Sequence, residues 1–212
     1  MSTQRRPLFD SSFAALVLLN ARNGPEKRFT ARAPGSTRRL AGGSATAMSI
    51  QFAPEPAPTA HVVELGEDRT TGPLPLGFEF ELFGVRYTWF DLSSDGFMTL
   101  GTHSFPSCPG YPDSRFIPLN AALNNFIALG WTDGCTPGRR QVAYEVRGAA
   151  QRHRLVLSFT AVPPPPEDEQ GMMSAQLVLY ERTGMIDLHT TRQEQVAHRV
   201  NQEAVRYTTA PW

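Results

Sequence analysis

From residue 61 onward the chain alternates short apolar runs with turn-forming residues. Phe78-Glu79-Phe80-Glu81-Leu82 alternates strictly between apolar and charged, which predicts a strand with one dry and one wet face. Similar runs predict strands over 61–65, 73–82, 87–92, 97–100, 126–131, 142–146, 155–159, 175–180 and 185–189, with one or two more in 196–207. Leu155, Leu157 and Phe159 share a parity, as do Ala175, Leu177 and Leu179, so one face of each strand packs inward. Turn signals separate the runs. Asp95-Gly96 suits a hairpin because both residues tolerate positive φ. Gly148 and the pair Thr183-Gly184 mark two further hairpins. Asp95, Gly96 and Gly184 are therefore read as structural turn residues.

Prolines 106, 109, 112 and 118, with Gly110, exclude a continuous strand in 102–125. Residues 119–125 have room for a helical turn or two. Pro163 to Pro166, followed by Glu-Asp-Glu, reads as an exposed polyproline-like loop. This succession of short strands, with no amphipathic helix beyond residue 60, predicts an all-β fold. The expected architecture is an antiparallel β-sandwich, jelly-roll-like, with a flexible N-terminal extension.

Residues 1–58 differ in composition. They carry 8 Lys+Arg against 3 Asp+Glu, whereas the remainder carries 12 against 17. They are rich in Gly, Ala, Pro and Arg and show little periodicity, so they read as a leader or flexible arm ahead of a domain at 59–212. Arg5 and Arg6 followed by the apolar run 13–19 resemble a signal region over 5–21. The same run also suits a short helix or strand docked on the body. No stretch of eighteen apolar residues occurs, so no membrane-spanning helix is expected. The acidic balance of the body argues against a nucleic-acid surface.

Candidate chemistry is sparse. Cys108 and Cys135 lie in Pro/Gly-rich segments. In an exported protein they would form a disulfide, and the loop closed would add roughly 3–4 kcal/mol. Two free thiols in loops are the alternative. None of the five histidines sits in a metal-ligating spacing, and no nucleophile elbow or phosphate-binding glycine motif occurs. Asp91, Asp95 and Asp133 lie in or beside loops and are weak calcium candidates; otherwise they are solvated turn formers. No other cofactor is expected. Strand alternation puts Tyr87 and Trp89 on one face and Phe90 on the other. With Tyr111, the first two form a candidate binding surface.

Four stretches carry a resemblance. LPLGFEFELFGVRYTWFDLSSDGFMTL (74–100) is similar to the opening of the nidogen-like domain family, with Asp95 where that family usually has Asn. NNFIALGWTD (124–133) resembles its strand ending in Trp followed by acids, although Thr132-Asp133-Gly134 replaces two consecutive acids. Residues 142–159 resemble its Tyr-containing strand, hairpin and returning strand. AQLVLYERTGMIDL (175–188) resembles its Gln-containing strand, Tyr-Glu and Thr-Gly turn. The family occurs in animal matrix proteins and in bacterial surface proteins. The resemblance covers about residues 60–208. It implies a β-rich extracellular or cell-surface domain with adhesive or matrix roles and no catalytic set to transfer.

The expected function is a non-catalytic adhesion or structural module that binds a surface protein or glycan through its loops, chiefly 102–125 and 160–172. One alternative is a structural subunit of a larger homo- or hetero-assembly, docking through its N-terminal arm. A second is a carbohydrate-binding sandwich. A hydrolytic version would need two facing carboxylates, for which Asp91 and Asp133 are the residues to test.

Overall fold

A computed structural model describes residues 18–19, 46–66, 69–82, 84–94, 96–101, 126–128, 140–161, 172–194 and 199–208. Within them the chain forms twelve strands. They are β1 (Leu18–Leu19), β2 (Thr46–Ser49), β3 (His61–Val63), β4 (Leu74–Leu82), β5 (Val85–Ser93) and β6 (Phe97–Leu100). They continue with β7 (Phe126–Ala128), β8 (Arg140–Arg147), β9 (Arg154–Ala161), β10 (Met172–Tyr180), β11 (Met185–Glu194) and β12 (Arg199–Thr208).

The strands make two antiparallel sheets, ordered β1-β7-β6-β5-β4 and β2-β12-β11-β10-β9-β8-β3. Most neighbours in a sheet are also neighbours in the chain, so β4–β7 and β8–β12 are meanders. The strands predicted from alternation are all present. Within the apolar run 13–19, β1 matches the alternative of a short strand docked on the body, whereas β2, inside the Gly/Ala-rich stretch, was not predicted.

Both sheets contribute alternate residues to one apolar core. Leu76, Phe78, Phe80 and Leu82 enter it from β4, and Leu155, Leu157 and Phe159 from β9. Val142 and Tyr144 of β8, Ala175, Leu177 and Leu179 of β10, Ile186 and Leu188 of β11 and Tyr207 of β12 add to the large sheet's contribution. Phe90 of β5 meets Tyr144 of β8 edge to face, ring centroids 5.4 Å apart, which ties the two sheets together.

Strand β5 departs from simple alternation. Its pairing with β4 shifts between Pro75 and Phe80. Four β4 residues there lie opposite the single residue Thr88. Gly77, at φ 77°, takes the backbone turn that this bulge requires. The bulge changes the phase of β5, so Thr88 and Trp89 are both exposed while Tyr87 and Phe90 both face the core. The expectation that Tyr87 and Trp89 share a face is thereby corrected.

The ends of the large sheet are unlike each other. At one end the β8–β9 and β10–β11 turns are latched together. Glu181 N donates to His153 O at 2.9 Å, and His153 N donates to Glu181 Oε2 at 2.8 Å. Gly184 sits at φ 61° and Gly96, between β5 and β6, at 78°. At the other end the register brings together Arg140 with Ala161, Met172 with Gln193, and Glu194 with Arg199. At that rim the chain enters β8, β10 and β12 and leaves β9 and β11.

Candidate functional site

The outward face of the large sheet carries polar side chains between the core-facing ones. They are Glu145 and Arg147 on β8, Arg154 and Ser158 on β9, Gln176 and Tyr180 on β10, Asp187 and His189 on β11, and Arg206 on β12. Residues 50–60 cross this face. They enter from β2 at one edge of the sheet and leave into β3 at the other. Six inter-strand spacings of about 4.8 Å separate those edges, roughly 29 Å. Twelve residue steps in polyproline geometry reach about 37 Å. The prolines of Ala53-Pro54-Glu55-Pro56-Ala57-Pro58 suit a segment that must run nearly extended. Composition assigned residues 1–58 to a leader or arm; the structure places 46–58 on the domain.

The crossing can be followed contact by contact. Ile50 N donates to Ala204 O on β12, and Phe52 meets His189 of β11 edge to face at 5.8 Å. Glu55 is then clamped by Gln176 of β10. Its N–H donates to Gln176 Oε1 at 2.7 Å, and its carbonyl accepts from Gln176 Nε2 at 2.9 Å. A side-chain amide here pairs with a peptide unit as a neighbouring strand would. Gln176 Nε2 also donates to Ser158 Oγ at 3.1 Å, which fixes the amide's orientation. The Glu55 carboxylate accepts from Arg154 Nε and Nη2 at 2.7 and 3.1 Å, and from Arg147 Nη1 at 3.3 Å. Arg147 further donates to the carbonyls of Pro56 and Ala57.

Beside the crossing, Asp187 is held by three donors. Arg206 Nε and Nη2 lie 2.6 and 2.7 Å from its oxygens, and Tyr180 Oη lies at 3.0 Å. Between this cluster and the crossing segment opens a cleft of about 460 Å³, lined by Ile50, Pro54, Glu55, Tyr180, His189 and Arg206 among others.

The electrostatics follow from these pairs. The hydrogen bond from Arg154 holds the Glu55 carboxyl below the usual carboxylate range, with burial opposing. Burial, reinforced by Asp187, pushes the Tyr180 phenol up to about 12. The hydrogen bond to Asp187 raises Arg206. His189 is 5% exposed and its Nδ1 has no hydrogen-bond partner among the described residues. Burial lowers its pKa, with Asp187 opposing.

These shifts make the fold acid-sensitive in two windows. The unfolded imidazole titrates near 6.5 and the folded one lower, so below 6.5 the unfolded chain binds the extra proton and stability falls until the folded pKa is passed. Glu55 adds stability above the unfolded value of 4.5, lost as pH falls through its folded value. Urea midpoints measured across pH should therefore drop in both windows. His189→Phe should flatten the first and leave the second. A variant profile parallel to the parent's throughout would show that the ring is not held neutral.

A family model described as NIDO related matches residues 44–208. The chain belongs to the NIDO-related family. This bears out the resemblance at the family level and begins the match upstream of β2, so the crossing segment lies inside it. Neither the curated proteins nor the solved structures gave a match. NIDO-related membership points to an extracellular, non-catalytic module.

Several residues singled out from sequence lie elsewhere in this NIDO-related domain. Tyr87 is 8% exposed within the core, so its ring is not offered to a partner. Trp89 is 43% exposed on the small sheet. Asp91 is buried on β5, facing away from the core residues Phe90 and Leu92 and paired in register with Thr99. Among the described residues no cluster of three or more His, Cys, Asp or Glu is placed to hold a metal. Asp95, Cys108, Tyr111, Asp133 and Cys135 lie outside the described residues.

Sequence reasoning missed Glu55, Arg147, Arg154, Asp187 and Arg206 as a connected group, since it treated the segment before residue 59 separately. A signal was present. Gln176, between Ala175 and Leu177, and Ser158, between Leu157 and Phe159, are polar residues at outward positions between core residues. Such positions on a covered face ask for a partner.

Proposed function

We propose that the protein is an extracellular, non-catalytic adhesion or structural module that binds a surface protein or glycan through connections at one rim of its sandwich. The observation that supports this is the difference between the two ends of the large sheet. One end is closed by tight turns that are hydrogen-bonded to each other. The other gathers the strand ends joined by 129–139, 162–171 and 195–198. A rigid scaffold closed by hydrogen-bonded turns at one end suits recognition at the other, where 129–139 and 162–171 are the long connections. Among the described residues, Glu55, Asp187 and Glu181 are each engaged by basic groups in structural contacts. That arrangement favours scaffold over catalysis.

The test replaces residues 163–170 with Gly/Ser of equal length, and separately alters the opposite end by Arg182→Gly. Binding to glycan arrays and to immobilised matrix proteins is measured for both and for the parent. Loss of binding in the first variant alone is expected. Binding that survives the first replacement, or glycan turnover abolished by Asp91→Ala, would overturn the reading.

A further inference from the structure

The contacts on residues 53–58 are those of a receptor on a peptide. The sheet face reads backbone through Gln176 and Arg147, and reads one side chain, Glu55, through Arg154 and Arg147. Prolines flank that glutamate on both sides and Pro58 is buried. A proline-rich segment is preorganised in extended form, so little conformational freedom is lost on docking. Charge is complementary: one carboxylate faces two guanidinium groups. The segment also has a simple way off. The strands at its two ends, β2 and β3, are the two edge strands of the sheet, pairing over four and three residues.

We propose that the outer face of the seven-stranded sheet is a recognition site for an extended glutamate flanked by prolines, filled in this structure in cis, and that residues 50–60 of a second copy of this chain are its partner in trans. A second copy offers an identical segment, so the exchanged pair repeats every contact of the closed form. The difference between the two states lies in the connections that tie the exchanged ribbon to the body, between β1 and β2 and between β3 and β4, and in the entropy of association. The tether gives the cis segment an effective concentration on the order of millimolar. Exchange therefore becomes visible when the cis match is spoiled. This goes beyond the rim-binding reading and does not depend on it.

Complementary charge exchange tests the idea on the full chain. One variant carries Glu55→Arg; the other carries Arg147→Glu and Arg154→Glu. In each, the segment and the face of the same molecule repel. Mixed, the segment of each matches the face of the other. Light scattering after size exclusion should show monomers separately and a one-to-one dimer on mixing. A labelled peptide of residues 50–60 should also bind the Glu55→Arg chain at least roughly ten-fold more tightly than it binds the parent. Gln176→Ala or Arg154→Ala, added to that chain, should weaken the peptide by roughly ten-fold. A mixture that stays monomeric would overturn the exchange. Peptide binding that is absent, or indifferent to Gln176 and Arg154, would overturn the recognition site. Circular dichroism checks that each variant is folded; should Glu55→Arg fail, Glu55→Gln takes its place in the peptide assay. Failure here leaves rim binding untouched, since that is read on glycan and matrix arrays with the parent chain.

Discussion

Replacing Arg206 with methionine is expected to lower the unfolding free energy by about 3–5 kcal/mol, the range for breaking a buried ion pair from one side. The side chain of Asp187 is 3% exposed and that of Arg206 is 34% exposed. The two partners therefore differ in what their loss leaves behind. Without the guanidinium, a buried carboxylate remains with, among the described residues, the Tyr180 hydroxyl as its side-chain donor. Without the carboxylate, Arg206 can turn toward water. Asp187→Asn should accordingly lose less, about 1–3 kcal/mol. The double change should lose less than the sum of the two, because the stranded charge is gone. Urea denaturation of the four proteins at neutral pH provides the comparison. Equal losses for the two single variants would mean that the carboxylate is not desolvated as described.

Phe90→Ala should be comparably severe, about 3–5 kcal/mol. Phe90 is 0% exposed and its ring meets Tyr144 across the sandwich. Truncation leaves a void that two apposed sheets cannot close without losing other contacts. In a domain of this size the loss lowers the thermal midpoint by roughly 2–4 °C per kcal/mol. The adjacent Trp89 supplies the control. It is the larger residue, yet Trp89→Ala should stay within about 0.5 kcal/mol of the parent, because half-exposed surface positions seldom contribute more. Thermal denaturation of the pair reads the phase of β5 directly. A Trp89 variant as damaged as the Phe90 variant would place the bulge elsewhere.

The large strands were legible in the sequence because each side of a strand has its own solvent. Phe78, Phe80 and Leu82 alternate with Glu79 and Glu81, and that alternation survives intact as buried and exposed positions. The β5 phase was not legible. A bulge is a property of two paired strands, and neither the Tyr-Thr-Trp-Phe run nor Gly77 alone reveals the slip. The outer-face cluster was hidden for another reason. Glu55 and Gln176 are 121 residues apart. The prolines around Glu55 carry the same local signature whether the segment floats or docks. Only the polar residues facing it on the sheet distinguish the two, and they become informative once the strand register is known.

Residues 46–63 form a single uninterrupted ribbon whose two tips supply both outermost strands of the large sheet. An open sheet flank is a template for pairing with other chains, and proteins blunt such flanks with very short strands. Here both flanks are guarded by one piece of chain. A protease cut within 50–60, or any event that lifts the ribbon, would unguard both sides together, so self-association of damaged molecules would set in at two flanks rather than one.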